Sequence, residues 1–196
     1  DLVRSRGLGD VYKRQGLSNR RKEGIRKARR SGLVFDVTNS PDIIPPFYEL
    51  LKITYKHTKL PCPHIDFFYS LHDHLPSRNL KYFSVKKNNK PLVISTALVF
   101  KQYLYAYYIG RTMDEHYLRM KPIDLLYWEV LVWGTENGCQ LFDWLGAGKP
   151  RQEYGVRKFK LQFGGRLEEL GRFEKVYKPA LMNIGRIGLK LRQKFR

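Results

Sequence analysis

The chain has 196 residues, enough for one compact domain, and its 42% hydrophobic and 14% aromatic content supports a packed core. A net charge of +19 points to an anionic partner: RNA, DNA, anionic lipid or a phosphate-bearing substrate. Two distant cysteines without a CxxC, five histidines without metal-ligand spacing and no apolar run long enough to span a bilayer argue for a reduced, cytoplasmic protein with no metal.

Asp1–Gln15 is set apart. Leu8-Gly9-Asp10-Val11-Tyr12-Lys13-Arg14-Gln15 resembles the translated reading frame of a transposon mosaic-end adapter used in sequencing libraries, so residues 1–15 are expected to be an assembly scar. The gene is then expected to continue upstream. The scar holds four basic and two acidic residues, and +17 remains without it. Leu17–Ser31 reads as a basic helix with Ile25 and Ala28 on its less polar side and Gly32 past its end; residues 20–30 hold seven bases and one acid. Leu33–Val37 reads as a short strand. Ile43–Thr58 carries Phe47, Leu50, Leu51 and Tyr55 at helical spacing, with Pro45-Pro46 expected to interrupt its start. Ile65–His74 is a second amphipathic helix built on Phe67, Phe68 and Leu71.

The period then changes. Leu80–Lys87, Leu92–Phe100 and Tyr103–Ile109 alternate or are rich in aromatic and β-branched residues, and Asn88-Asn89-Lys90-Pro91 is a turn, which predicts an antiparallel meander. Asp124–Asn137 is a strongly apolar helix stopped by Gly138, with Trp128 and Trp133 as core. Gln140–Leu145 reads as a buried strand opened by Gly146, Gly148 and Pro150. Tyr154–Phe163 reads as a cationic helix, Arg166–Tyr177 as a last strand and Ala180–Phe195 as a last helix. This order predicts an α+β fold with a mixed, mainly antiparallel sheet flanked by helices.

Residues 139–165 carry the clearest signature. A strand end at Phe142-Asp143-Trp144, a glycine loop, then Phe159-Lys160, Phe163 and Gly164 resemble the F-K-x-x-F-G motif of the Fem-type aminoacyltransferases, which add amino acids to the peptidoglycan stem peptide. Lys22–Gly32 and the Phe47–Leu51, Thr54, Lys59 and Phe67-Phe68 region are similar to further pieces of that family. The resemblance implies a GNAT-like acyltransferase fold. It divides the chain into residues 16–40 as the tail of a preceding GNAT-like unit, 41–178 as a GNAT-like domain and 179–196 as a basic amphipathic helix. It also implies acyl transfer from aminoacyl-tRNA to an amine of a lipid-linked or nucleotide-linked peptidoglycan precursor, without a cofactor. Because the family builds its site from two halves, the portion given by this sequence is expected to be inactive alone.

The ester donor is already activated, so the enzyme must position it, help to deprotonate the amine and stabilise the oxyanion. Lys160 is the expected electrostatic catalyst. Asp143 either accepts the amine proton or caps the glycine loop by holding backbone N–H groups. Tyr154 and Arg157 flank the loop as candidate substrate contacts, and Lys59 and Arg111 are candidate phosphate contacts. The stretch Arg111–Tyr117 lacks the glycines of an acetyl-CoA phosphate loop and carries Asp114 and Glu115, which disfavours coenzyme A there. Two readings stand beside the aminoacyltransferase: an acyl-CoA-dependent N-acyltransferase of the GNAT superfamily, and a non-catalytic basic RNA-binding module. The last helix, with six bases and no acid across residues 178–196, could rest on an anionic membrane surface at the inner face.

Overall fold

The computed structural model describes residues 16–148, 153–169 and 174–194, together with the backbone of 2–6; side chains are not described at 2–6, 190 and 192–194. Residues 8–15 of the adapter-like stretch, Pro150 of the expected glycine loop, residues 170–173 of the expected last strand and Phe195 lie outside the described residues.

Short strand β1 (Leu2–Arg6) is followed by helix α1 (Asn19–Arg30) and strand β2 (Val34–Thr38). Next come α2 (Ile44–Thr58), preceded by a 3-10 turn at Pro41–Ile43, and α3 (Ile65–His74). The meander is β3 (Leu80–Lys87), β4 (Lys90–Phe100) and β5 (Tyr103–Arg111). The remainder is α4 (Glu115–Arg119), α5 (Pro122–Glu136), β6 (Leu141–Gly146), α6 (Gly155–Leu161), β7 (Arg166–Glu168) and α7 (Pro179–Lys194).

The described strands form one seven-stranded sheet in the order β2-β3-β4-β5-β6-β1-β7. Only β5 and β6 run parallel; the other described pairs are antiparallel. The mixed α+β architecture expected from the sequence is therefore the one observed. Residues 16–40, expected to be the tail of a preceding unit, contribute α1 and β2. Strand β2 pairs with β3, and α1 packs against α5, so both share this sheet and core. Residues 2–6, within the expected scar, run between β6 and β7.

Local chemistry explains the boundaries. Ser18 caps α1, its hydroxyl accepting the Arg21 N–H, and Lys27, Arg29 and Arg30 complement the dipole at the helix end. Pro45 and Pro46 fall within the first turn of α2, where the N–H that proline lacks has no helical partner in any case, so the helix runs through them rather than being interrupted. Asn88 and Asn89 both adopt positive φ (49° and 63°), the conformation that a two-residue hairpin turn requires between β3 and β4. One expectation fails. The last strand ends at Glu168, and residues 174–177 are not strand; their side chains find no sheet face and stay exposed. The stretch after Arg111, which lacks the glycines of a phosphate loop, contains α4, whose N-terminus is capped by the Asp114 carboxylate accepting the His116 N–H at 2.9 Å.

Apolar side chains fill both faces of the sheet. One face packs Phe83, Val85, Val93 and Leu104 against Leu125, Leu126, Trp128 and Leu131 of α5, with Ile25 and Ala28 of α1 joining the same cluster. Trp128 is buried there, and Trp133 meets the Phe83 ring edge-on at 5.1 Å, as the apolar helix pattern predicts. The other face packs Tyr82 and Ile94 against Phe47, Leu50 and Leu51 of α2 and Phe68 of α3.

Helix α2 rides directly on β5. A Cβ at Gly110 would lie 2.5 Å from the Leu51 nitrogen and 2.8 Å from the Leu50 carbonyl carbon, both backbone atoms that cannot rotate away. Beside this contact the Thr54 hydroxyl accepts the Arg111 N–H at 2.9 Å, fixing the end of β5. Gly110→Ala is expected to push α2 off the sheet and destabilise the domain by about 1–3 kcal/mol or more, the usual cost of overpacking. Urea denaturation checks this; an unchanged midpoint would contradict so close a helix–strand approach.

Candidate acyl-transfer site

Strands β5 and β6 pair over only three positions, Tyr103–Leu141, Leu104–Phe142 and Tyr105–Asp143. Beyond them the strands separate. The cause sits in β5: Thr96 faces Tyr108 while Ala97 faces Ala106, so Tyr107 is an extra residue in that strand. The Thr96 hydroxyl repairs the ladder by accepting the Tyr108 N–H at 3.0 Å. Such a bulge bends and twists its strand. Two parallel strands that part company leave a crevice beyond their carboxyl ends, where open sheets bind ligands.

The β6 side of this crevice is built by the glycine loop and α6. Asp143 is buried, and its carboxylate accepts the Leu145 N–H at 2.8 Å. That bond supports Leu145 in the left-handed region (φ 54°), unusual for a branched side chain. The bend turns strand carbonyls toward α6. Lys160 Nζ donates to the Trp144 carbonyl at 2.7 Å and to the Gly146 carbonyl at 2.6 Å. Burial of the ammonium lowers the Lys160 pKa to about 8, and the nearby Asp143 carboxylate opposes the shift only in part. An ammonium has three N–H donors, so two bonds to main-chain oxygens leave a third. Arg157 Nε donates to the Ala147 carbonyl at 2.8 Å. The exposed Tyr154 ring lies over Gly148, where a Cβ would come within 2.7 Å of it and where φ is +81°, so glycine is required on both counts.

An aromatic wedge fixes α6 behind this edge. Tyr127 of α5 packs on Trp144 (4.6 Å between centroids), Phe159 (6.0 Å) and Phe163 (6.0 Å). Burial pushes the Tyr127 phenol up to about 12, so it stays neutral.

On the β5 side lies an open pocket of about 260 Å³, lined by Arg20, Arg21, Arg111, Lys121, Asp124 and Phe159 among others. A smaller neighbour of about 160 Å³ shares Arg20, Arg21, Lys121 and Asp124 and adds Lys27 and the acid Glu23. Together they form a cationic groove from the end of β5 to the side of α1. Its one acid lining both pockets, Asp124, is paired with the Arg21 guanidinium deep in the wall. Desolvation raises the Asp124 pKa despite the Arg21 and Lys121 charges beside it. The Arg21 guanidinium also lies over the Phe159 ring at 4.7 Å and near Phe163 at 5.9 Å. Gly24 makes room for the pair, since a Cβ there would collide with the Asp124 carboxylate.

The candidate residues thus divide. Asp143, Tyr154, Arg157 and Lys160 gather around the end of β6. Arg111 lines the cationic pocket, whose lining also includes Phe159, the residue before Lys160. Lys59 is exposed at the C-terminal cap of α2 and lines neither pocket. Asp114 and Glu115, expected to repel phosphate, do not line the pockets; one caps α4 and the other pairs with Arg119. Sequence reasoning missed Arg20, Arg21, Lys121 and Asp124. One signal was present: Arg21, Ile25 and Ala28 fall on one helical face, so Arg21 lies on the buried side of a basic helix.

The family description "Acetyltransferase (GNAT) domain" matches residues 16–160. Among solved structures, FemX is similar with a TM-score of 0.73 at 13% identity, covering 84% of this chain and 58% of FemX. The C-terminal domain of a putative lysylphosphatidylglycerol synthetase from Agrobacterium fabrum gives 0.65 at 16% identity, covering 84% of this chain and 56% of that one. The aminoglycoside acetyltransferase meta-AAC0020 from an uncultured soil metagenomic sample, bound to sisomicin, gives 0.55 at 15% identity, covering 74% of this chain and 97% of that one. No curated protein sequence gives a match. The chain spans a little over half the length of the first two structures. At these identities the structures speak for the fold. The family match extends over well more than half of the residues, and this chain belongs to the GNAT acetyltransferase-domain family, with the acyltransferase fold of that family.

Proposed function

We propose that the protein transfers an aminoacyl group from aminoacyl-tRNA to an amine of a peptidoglycan precursor, at the mouth of the β5–β6 crevice. The observation that carries this reading is that α6 joins two features: Lys160, of lowered pKa, is bonded to the β6 edge, and the residue before it, Phe159, lines the cationic pocket that Arg20, Arg111 and Lys121 share. The lysine suits the developing oxyanion, and the groove suits the phosphates of the donor. The amine nitrogen attacks the ester carbonyl carbon, and the new C–N bond forms as the carbonyl becomes a tetrahedral oxyanion. The C–O bond to the ribose then breaks, and the proton lost by the nitrogen ends on the departing hydroxyl. Lys160 stabilises the oxyanion through its third N–H. Arg20, Arg111 and Lys121 hold donor phosphate. Similarity of fold to FemX and to a lysylphosphatidylglycerol synthetase domain supports an aminoacyl donor.

A second reading is an acyl-CoA-dependent N-acyltransferase. Its specific support is a pocket in which Arg111, from the end of β5, faces Lys121 at the start of α5, a 15-residue helix whose N-terminal dipole adds to their charge, an arrangement that suits a pyrophosphate. The two readings are separated by offering the intact enzyme charged tRNA or acyl-CoA with the same acceptor. Under either, Arg111→Ala with Lys121→Ala is expected to raise the KM for the donor by roughly 10–100-fold with little change in kcat, because charge-assisted contacts to a non-reacting phosphate bind ground and transition states alike. An unchanged KM would remove the groove from the donor site.

A further inference from the structure

We propose that α7 is an interfacial anchor that lays its apolar stripe onto an anionic phospholipid surface. Leu181, Ile184, Ile187 and Leu191 recur every three or four residues on one helical face. In this chain the face is uncovered: these four side chains are 60%, 65%, 58% and 51% exposed. A stripe of that kind left in water is costly and calls for a cover.

Charge selects the cover. Residues 178–196 carry Lys178, Arg186, Lys190, Arg192, Lys194 and Arg196 and no acid. A second copy of this chain would bring the same cations to the contact and repel. An anionic bilayer offers hydrocarbon for the stripe and phosphate for the cations at once, the combination that holds amphipathic basic helices in the headgroup plane. The helix lies along such a surface rather than crossing it, because among the described residues no helix is long and apolar enough to span. A Cβ placed at Gly185 or Gly188 would meet nothing within 4 Å, so close packing inside this chain does not account for these glycines. The segment leading into the helix, residues 174–178, is exposed throughout and joins it through Arg186, which pairs with Glu174 at 3.0 Å.

The test is co-sedimentation of the full chain with vesicles of phosphatidylcholine alone or mixed with phosphatidylglycerol, read independently of any transfer activity. The chain is expected to sediment with the anionic vesicles and to stay in solution with the neutral ones. Ile184→Asn with Ile187→Asn leaves every charge in place and is expected to weaken anionic-vesicle binding by roughly 10-fold or more. Both sites are exposed, and an unchanged near-UV circular dichroism spectrum confirms that the variant is folded. Undiminished binding by the variant would show that the basic body alone holds the vesicles and would overturn the proposal. A dimer of the parent that becomes a monomer in the variant, by light scattering, would also overturn it by showing that a second copy covers the stripe.

Discussion

Lys160→Met in the intact enzyme is expected to lower acyl transfer by roughly 10²–10³-fold, the usual effect of removing one oxyanion donor from a preorganised site. The loss should fall on kcat, since the lysine is asked to act on charge that develops only after attack. Stability should move by no more than about 2 kcal/mol. The substitution leaves the Trp144 and Gly146 carbonyls without their donor, but it also removes a cation that burial disfavours. The pH dependence is a sharper check. With a pKa of about 8, Lys160 is cationic at neutral pH and loses its proton as pH rises through that value. Transfer should fall above pH 8, and Lys160→Arg should abolish that limb because a guanidinium stays charged. Stability should run the other way. The fold lowers this pKa from 10.5, so the unfolded chain binds the proton more tightly and the group's contribution to stability improves between pH 8 and 10.5. Transfer that rises through pH 8 in the parent, with a rise that Lys160→Arg removes, would instead identify the neutral Lys160 amine as a base, since deprotonation of the acceptor amine would raise both.

Asp124→Ala carries the second large effect. It leaves the largely buried Arg21 guanidinium without its carboxylate, with its Nε already lacking a hydrogen-bond partner. Breaking a buried pair by removing one member costs about 3–5 kcal/mol. For a domain of this size that is a fall in Tm of roughly 6–20 °C. The cost is that of an uncompensated charge rather than the net worth of the pair, so Arg21→Met combined with Asp124→Leu should recover much of it. Melting curves for the single and double variants settle the point; a double variant no better than the single one would mean that the pair is needed for its geometry. Because Arg21 lies over Phe159 and near Phe163, the rings before and after Lys160 in the chain, the single variant should also lower transfer before it unfolds.

Much of the fold was legible because burial writes its period into the sequence. The α2, α3 and α5 stripes and the β3–β4–β5 alternation all match the observed elements to within a few residues. What escaped were features set by contacts between distant segments. The bulge at Tyr107 leaves no local mark, yet it opens the crevice. Arg21 looks like one more base in a basic run, and only its partner 103 residues away shows why it can be buried. Gly24 and Gly110 look ordinary in a helix and a strand until the carboxylate and the helix backbone that press on them are known. Strand β7 proved three residues long because alternation in residues 174–177 had no face to bury against. At the site, motif resemblance marked Lys160 and its neighbours, but its bonds run to main-chain carbonyls 14 and 16 residues earlier, which no side-chain pattern encodes.

The most direct measurement is a transfer assay with the enzyme expressed from its full reading frame, using tRNA charged with a radiolabelled amino acid and a peptidoglycan precursor bearing a free amine. The account predicts that label passes to the precursor, that it does so far more slowly in Lys160→Met, and that acyl-CoA does not replace the charged tRNA. Label that moves as fast in the Lys160→Met enzyme would contradict it.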